Sequence, residues 1–243
     1  MSSPEVRRNI MFLSLCVALS ASAMSLIFTV AAVIGYSLAT DKSLSPLPVA
    51  FMMIAMMAMT APSAMVMAKF GRKFGFWMGS GIAMMGALSG MGAVYYSNFW
   101  LLCVACACIG AGNAIAMQYR FAAAEAAPPE FRARAISYTM LGGLASAFIG
   151  PNLASFARNW FETVPFLGTF VALIGLQVLL VIAIGQLRLP DMRGHKHAEP
   201  ARPLKVVLGQ PAVIVAIIAG ALGYAVMSFV MTATPPVSYT HLT

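Results

Sequence analysis

The chain has 243 residues, of which 60% are hydrophobic and 9% charged, and its mean hydropathy is +0.85. Soluble domains carry about 25% charged residues, and a water-exposed fold of this length cannot hide so much apolar surface, so a soluble enzyme and a disordered chain are both excluded. The 15 Lys and Arg exceed the 7 Asp and Glu to give a net charge of +8. These cations stand in short gaps between long apolar runs, as in membrane proteins, so the expected partner is the lipid bilayer and nucleic acid is not one.

A membrane helix needs about 20 predominantly apolar residues. In chain order, runs of that kind predict seven spans, at about residues 10–39, 47–68, 74–96, 99–123, 135–157, 164–187 and 206–232. The first follows Arg7 and Arg8 and contains Ala21-Ser22-Ala23, which has the look of a signal-peptide cleavage site. The charge-free run nevertheless extends from Asn9 to Thr40, past the about 7–15 residues of a secretory core, so it reads as a retained span.

With the N-terminus in the cytoplasm, the inner segments hold Arg7, Arg8, Lys69, Arg72, Lys73, Arg120, Arg132, Arg134, Arg188, Arg193, Lys196, Arg202 and Lys205, and the outer ones only Lys42 and Arg158. That asymmetry places the N-terminus inside. The segment 188–205 is long and polar, with Pro190, Pro200, Pro203, His195 and His197. The expected organisation is a six-span unit at 1–187, a cytoplasmic linker at 188–205, a seventh span at 206–235, and a tail at 236–243 that drops the membrane pattern and reads as non-native.

Small residues mark expected helix contacts: Gly75, Gly79, Ala83 and Ala87 with Gly86 and Gly90 on the third span, and Ser146, Gly150 and Ala154 on the fifth. Cys16, Cys103, Cys106 and Cys108 lie within apolar runs, where they read as packing residues. No second Cys or His cluster accompanies them, and His195, His197 and His241 are distant in sequence, so neither a metal site nor a disulfide framework is expected. Met52, Met53, Met56, Met57, Met59, Met65 and Met67 crowd the second span and read as packing.

Between spans two and three the chain reads AMVMAKFGRKFGF. Through Lys69, Phe70, Gly71, Arg72 and Lys73 it resembles the loop signature of the major facilitator superfamily, G-x-L-A-D-R-F-G-R-R, with Ala64 and Ala68 at the positions of the first Gly and the Asp. PPEFRARAIS resembles the segment that begins the family's fifth span, through Arg132 and Arg134. Cations at a helix N-terminus need anionic partners, and Glu125 and Glu130 are close in sequence. Arg120, inside an apolar run, either snorkels to the interface or pairs with an acid such as Glu125. SAFIGPNLA resembles the antiporter-associated signature G-x-x-x-G-P-x-x-G-G through Gly150 and Pro151. GAGNAIA resembles R-x-x-Q-G-x-G-x-A through Gly110, Gly112 and Ala114, with Cys106 in place of the Arg and Ile109 in place of the Gln.

The resemblance implies an all-α integral membrane protein: a six-helix N-terminal bundle of two three-helix repeats, then one further transmembrane helix of a twelve-helix design that the chain does not complete. It implies a secondary active transporter of a small organic solute working by alternating access. No enzyme activity, catalytic residue, metal or cofactor is expected, and the location implied is a prokaryotic inner membrane. A coupling ion, proton or sodium, is possible in this family, yet no Asp or Glu stands in the middle of a span. Gly150–Pro151 points to drug or metabolite efflux; the alternatives are a solute uptake symporter and a truncated non-transporting membrane protein. Gating falls to Lys69, Gly71, Arg72, Lys73, Arg120, Glu125, Arg132 and Arg134. The cavity falls to Ser22, Ser25 and Thr29 on span one, to Cys106, Gly110, Asn113 and Met117 on span four, and to Tyr224, Ser228 and Met231 on span seven.

Overall fold

The computed structural model describes residues 4–158, 160–161, 164–189 and 209–240, and for Tyr224 and residues 227–240 the helix backbone alone. All regular elements among the described residues are helices: α1 (Pro4–Leu38), α2 (Leu47–Phe70), α3 (Arg72–Tyr95), α4 (Phe99–Ala116), α5 (Tyr119–Ala126), α6 (Arg132–Ala157), α7 (Leu167–Gly185) and α8 (Pro211–Thr240), with 3-10 turns at Lys42–Leu44 and Pro129–Phe131. The chain divides into two compact units, Met1–Arg193 and Gly194–Thr243. The first is a bundle of α1 to α7; the second carries α8.

The helices fall where the apolar runs predict them, with two differences. The fourth run breaks after Ala116, turns at Met117 and Gln118, and resumes as α5. The seventh begins at Pro211 and continues to Thr240, past the expected end near residue 232. The segment 190–208, which holds most of the expected linker, and residues 241–243 lie outside the described residues.

Among the described residues, five stretches are long and apolar enough to cross a membrane: Pro4–Leu38, Lys42–Phe70, Phe99–Ala126, Pro129–Ala157 and Leu167–Gly185. α3, expected as a span, is less apolar because Gly75, Gly79, Gly81, Gly86, Gly90 and Gly92 take the place of larger side chains. Most of those glycines are contact points. A Cβ on Gly79 would strike Ile115, one on Gly86 would strike Ala105 O and Ile109, and one on Gly90 the ring of Phe170.

These contacts also fix helix direction. Gly79 meets Ile115 while Gly86 meets Ala105 and Cys108, so α3 and α4 run antiparallel. Gly110 of α4 lies against Met52 O of α2, and Gln118 bonds Ser63, so α2 and α4 run parallel. Gly142 of α6 lies against Ser14 O of α1, and Gly150 against Ser25 and Ser22 O, so α1 and α6 run parallel as well. Gly90 meets Phe170 and Lys73 meets Gly185, which sets α3 antiparallel to α7. Helices α1, α3 and α6 therefore point one way and α2, α4 and α7 the other, as consecutive membrane crossings require.

The core follows this plan in two large clusters and a small third one of Ile10, Ala127 and Ala135. One large cluster packs Leu26, Ile27 and Ile34 of α1 with Met52, Leu102, Phe170 and Leu173. The other, toward the end holding the chain's N-terminus, packs Leu13 and Cys16 with Phe76, Ile115, Tyr119 and Ile184. Because lipid is as apolar as these side chains, close backbone approach at small residues supplies the association energy. Gly110→Leu should therefore lower the thermal midpoint in detergent, by about 1–3 kcal/mol of overpacking, whereas Gly81→Ala and Gly175→Ala, which open onto free space, should leave it unlowered.

Candidate functional site

The loop signature forms a one-residue hinge. α2 ends and α3 begins on either side of Gly71, whose φ of 90° is left-handed backbone that Gly adopts without strain. Its N–H closes α2 on Met67 O. Arg72 is thereby the first residue of α3, where the helix dipole disfavours a cation. A carboxylate meets it there: Arg72 donates through Nε and Nη2 to the two oxygens of Glu125 on α5, and Nη1 contacts Met67 Sδ. Glu125 is thus engaged by Arg72, and not by Arg120, Arg132 or Arg134.

Arg120 instead lays its guanidinium over the Phe121 ring, with Nε buried and without a hydrogen-bond partner among the described residues. Arg132 and Arg134 are exposed at the start of α6 and form no ion pair among the described residues. Lys69 is exposed and stands over Phe70. Lys73 does something different: its Nζ donates to Gly185 O at 2.8 Å and Leu187 O at 3.0 Å, a cation closing the C-terminus of α7 where the dipole favours it. Beside it, the Asn9 side chain of α1 donates to Arg188 O at 2.7 Å and accepts from Arg188 N at 3.1 Å. The chain leaving α7 is thus tied to α3 and to α1, and the cations gather at one end of the bundle.

Among the described residues the opposite end carries few charges: Asp41, Lys42 and Arg158. Asp41 caps the 3-10 turn by accepting from Ser43 N, which holds its carboxyl below the usual carboxylate range. Lys42 donates to Tyr36 O and Ala39 O. Tyr95, Tyr96 and Trp100 are exposed there, amphipathic rings of the kind that sit at a membrane interface.

The expected cavity rows divide between packing and access. On α1, Ser22 is buried and Ser25 packs against Gly150 of α6, while Thr29 is exposed with its hydroxyl donating to Ser25 O. On α4, Cys106 is fully buried in the core and Gly110 faces the α2 backbone. Asn113 is half-buried and donates to Met56 Sδ at 3.4 Å, and Met117 is exposed. Thr29 and Met117 are therefore exposed and Asn113 half-buried, whereas Ser22, Cys106 and Gly110 are taken up by packing. The side chains of Tyr224, Ser228 and Met231 on α8 lie outside the described residues. Gly150 serves the α1 crossing, and Pro151 sits within an unbroken α6, where the Asn152 amide donates to Phe148 O.

Sequence reasoning missed the polar side chains at the helix contacts. Gln118, at the α4–α5 turn, donates to buried Ser63 Oγ at 2.7 Å; Ser80 and Gln177 are buried within the bundle. The available signal was the amides Gln118 and Gln177 within or beside apolar runs, since an amide in lipid needs a partner. A double-mutant cycle on thermal unfolding should couple Arg72→Ala with Glu125→Ala by about 0.5–1 kcal/mol, whereas Arg120→Ala with Glu125→Ala should be additive.

Residues 13–243 match the family model described as the Major Facilitator Superfamily. The chain is also similar to a protein of Brucella anthropi named riboflavin transporter RfnT, at 34% identity over 234 residues. The alignment covers 94% of this chain and 58% of the relative, so the chain spans little more than half the length of that curated relative.

Proposed function

The chain belongs to the major facilitator superfamily, a family of multi-pass membrane transporters and not of enzymes, and from that premise we propose that it carries a small heteroaromatic solute of the riboflavin kind by alternating access. The observation that carries this reading is the 34% identity to the riboflavin transporter, maintained over 94% of the chain. A solute of that class is planar, polar at its edges and uncharged over most of its surface. The Asn113 amide beside the Met56 thioether suits it, with Met117 and Thr29 as further exposed groups, because soft sulfur packs on aromatic faces while the amide bonds a ring edge.

The second half of the transporter would seat on the faces of α2 and α6 that the bundle leaves uncovered, where Ile54, Met57, Leu144 and Phe148 are exposed, and would move against this unit in a rocking motion. The cationic end lies in the cytoplasm of a bacterial inner membrane, in keeping with the positive-inside bias. Arg72 and Glu125 brace that end within the unit, and Lys69, Arg120, Arg132 and Arg134 are left to meet lipid headgroups or the other half. Gly150 has a packing reason of its own against α1, which removes the ground for choosing export over uptake. Coupling to protons or sodium would draw on carboxylates other than the described ones, because Glu5, Asp41, Glu125 and Glu130 stand at helix ends and in connections.

The test is riboflavin flux in proteoliposomes holding the protein expressed from its intact gene, in both orientations. Saturable flux is expected, reduced at least about tenfold by Asn113→Ala with the thermal midpoint unchanged, a loss of about 1.4 kcal/mol or more in transport free energy. Flux no greater than that of empty liposomes would overturn the solute assignment.

A further inference from the structure

A cavity of about 20 Å3 lies inside the α1–α7 bundle, bounded by α1, α3, α4, the first residue of α5, and α7. Ser20 and Asn113 line its half-buried rim; Ser80, Tyr119 and Gln177 line its buried depth. The rim groups are engaged, since Ser20 donates to Val17 O and Asn113 to Met56 Sδ. The deep ones are less so: Gln177 Oε1 is buried without a hydrogen-bond partner among the described residues, and Ser80 Oγ, likewise buried and without a well-formed bond there, has the Tyr119 hydroxyl beside it. Ser80 and Gln177 are 3% and 4% exposed, respectively.

A buried polar atom left unpaired is strongly disfavoured, so Gln177 Oε1 facing the same space as the Ser80 and Tyr119 hydroxyls calls for an occupant. The lining contains no ionisable acid or base besides the Tyr119 phenol; a desolvated cation would find no counter-charge there, and the occupant must be neutral. Gln177 Oε1 can only accept, so the occupant must donate. A cavity needs about 10–15 Å3 to hold a water, together with two to four polar partners. Gly79 and Gly112 keep the walls thin enough to leave the space, because a Cβ on either would strike Ile115 or Ala83.

We propose that this cavity is a binding site for one ordered water molecule that donates to Gln177 Oε1 and bonds Ser80 Oγ. The water ties α3 to α7 within the bundle, as Lys73 ties the same two helices at the cationic end. It joins the first three-helix repeat to the second without any charged side chain.

The experiment is a map of the full-length protein in lipid nanodiscs, at a resolution that shows waters, for the wild type and for Ser80→Ala, with a thermal double-mutant cycle of Ser80→Ala and Gln177→Leu. A single spherical density within about 3.2 Å of both oxygens is expected, absent in Ser80→Ala. The double variant's midpoint should fall no further than that of the worse single variant, since the water is lost with either partner. An empty cavity in the wild-type map overturns the proposal. So do additive midpoint losses, or a direct Ser80–Gln177 bond.

Discussion

In a bilayer, an apolar side chain gains little by leaving lipid for a neighbouring helix, so a bundle holds only where backbones approach closely or polar groups meet. The rest of this structure depends on that constraint. At Gly110, Gly142 and Gly168, a Cβ would overlap a backbone oxygen of the facing chain, that of Met52, Ser14 and Ala157. Each of these places the helix pair at a separation that no larger residue permits. Two helices pressed together at two such points have their direction fixed, and from the directions of α1, α2, α3, α4, α6 and α7 comes the collection of Arg72, Lys73, Asn9 and Arg188 at one end.

The polar ties then act at the margins of the packed contacts. Arg72 carries a charge into a helix start that repels it, and α5, displaced from α4 by the turn at Met117 and Gln118, brings Glu125 to meet it. The family signature has an acid at the position of Ala68, which is exposed here. The guanidinium is answered from α5 within the same unit. Lys73 and Asn9 hold the chain as it leaves α7, so the departure point of the connection toward α8 is braced from both α3 and α1.

The placement of the helices was legible in the sequence, because a run of apolar residues long enough to span a membrane has few other readings. The small-residue stripes were legible too: Gly75, Gly79, Ala83, Gly86, Ala87 and Gly90 are buried, as are Ser146, Gly150 and Ala154. Partner choice was not. Periodicity shows that Ser22 and Ser25 share a face but not that the face meets α6, and it put Cys106 with Asn113 although the first is buried and the second half-open. Nearness in sequence favoured Arg120 and Arg132 as partners of Glu125, whereas the helix bundle brought Arg72 from a different helix pair. The break after Ala116 left no Gly or Pro to signal it.

These contacts gather the cations at one end of the unit, and we propose that this end faces the cytoplasm. Single cysteines at Asp41 and Lys69, probed with a membrane-impermeant maleimide on intact cells, test it most directly. The native Cys16, Cys103 and Cys106 are buried, and Cys108 lies within the apolar α4, so background labelling should be small. Labelling at position 41 from outside, with position 69 labelled only after the cells are opened, is the predicted result. Labelling of position 69 on intact cells, or of both positions alike, would contradict it.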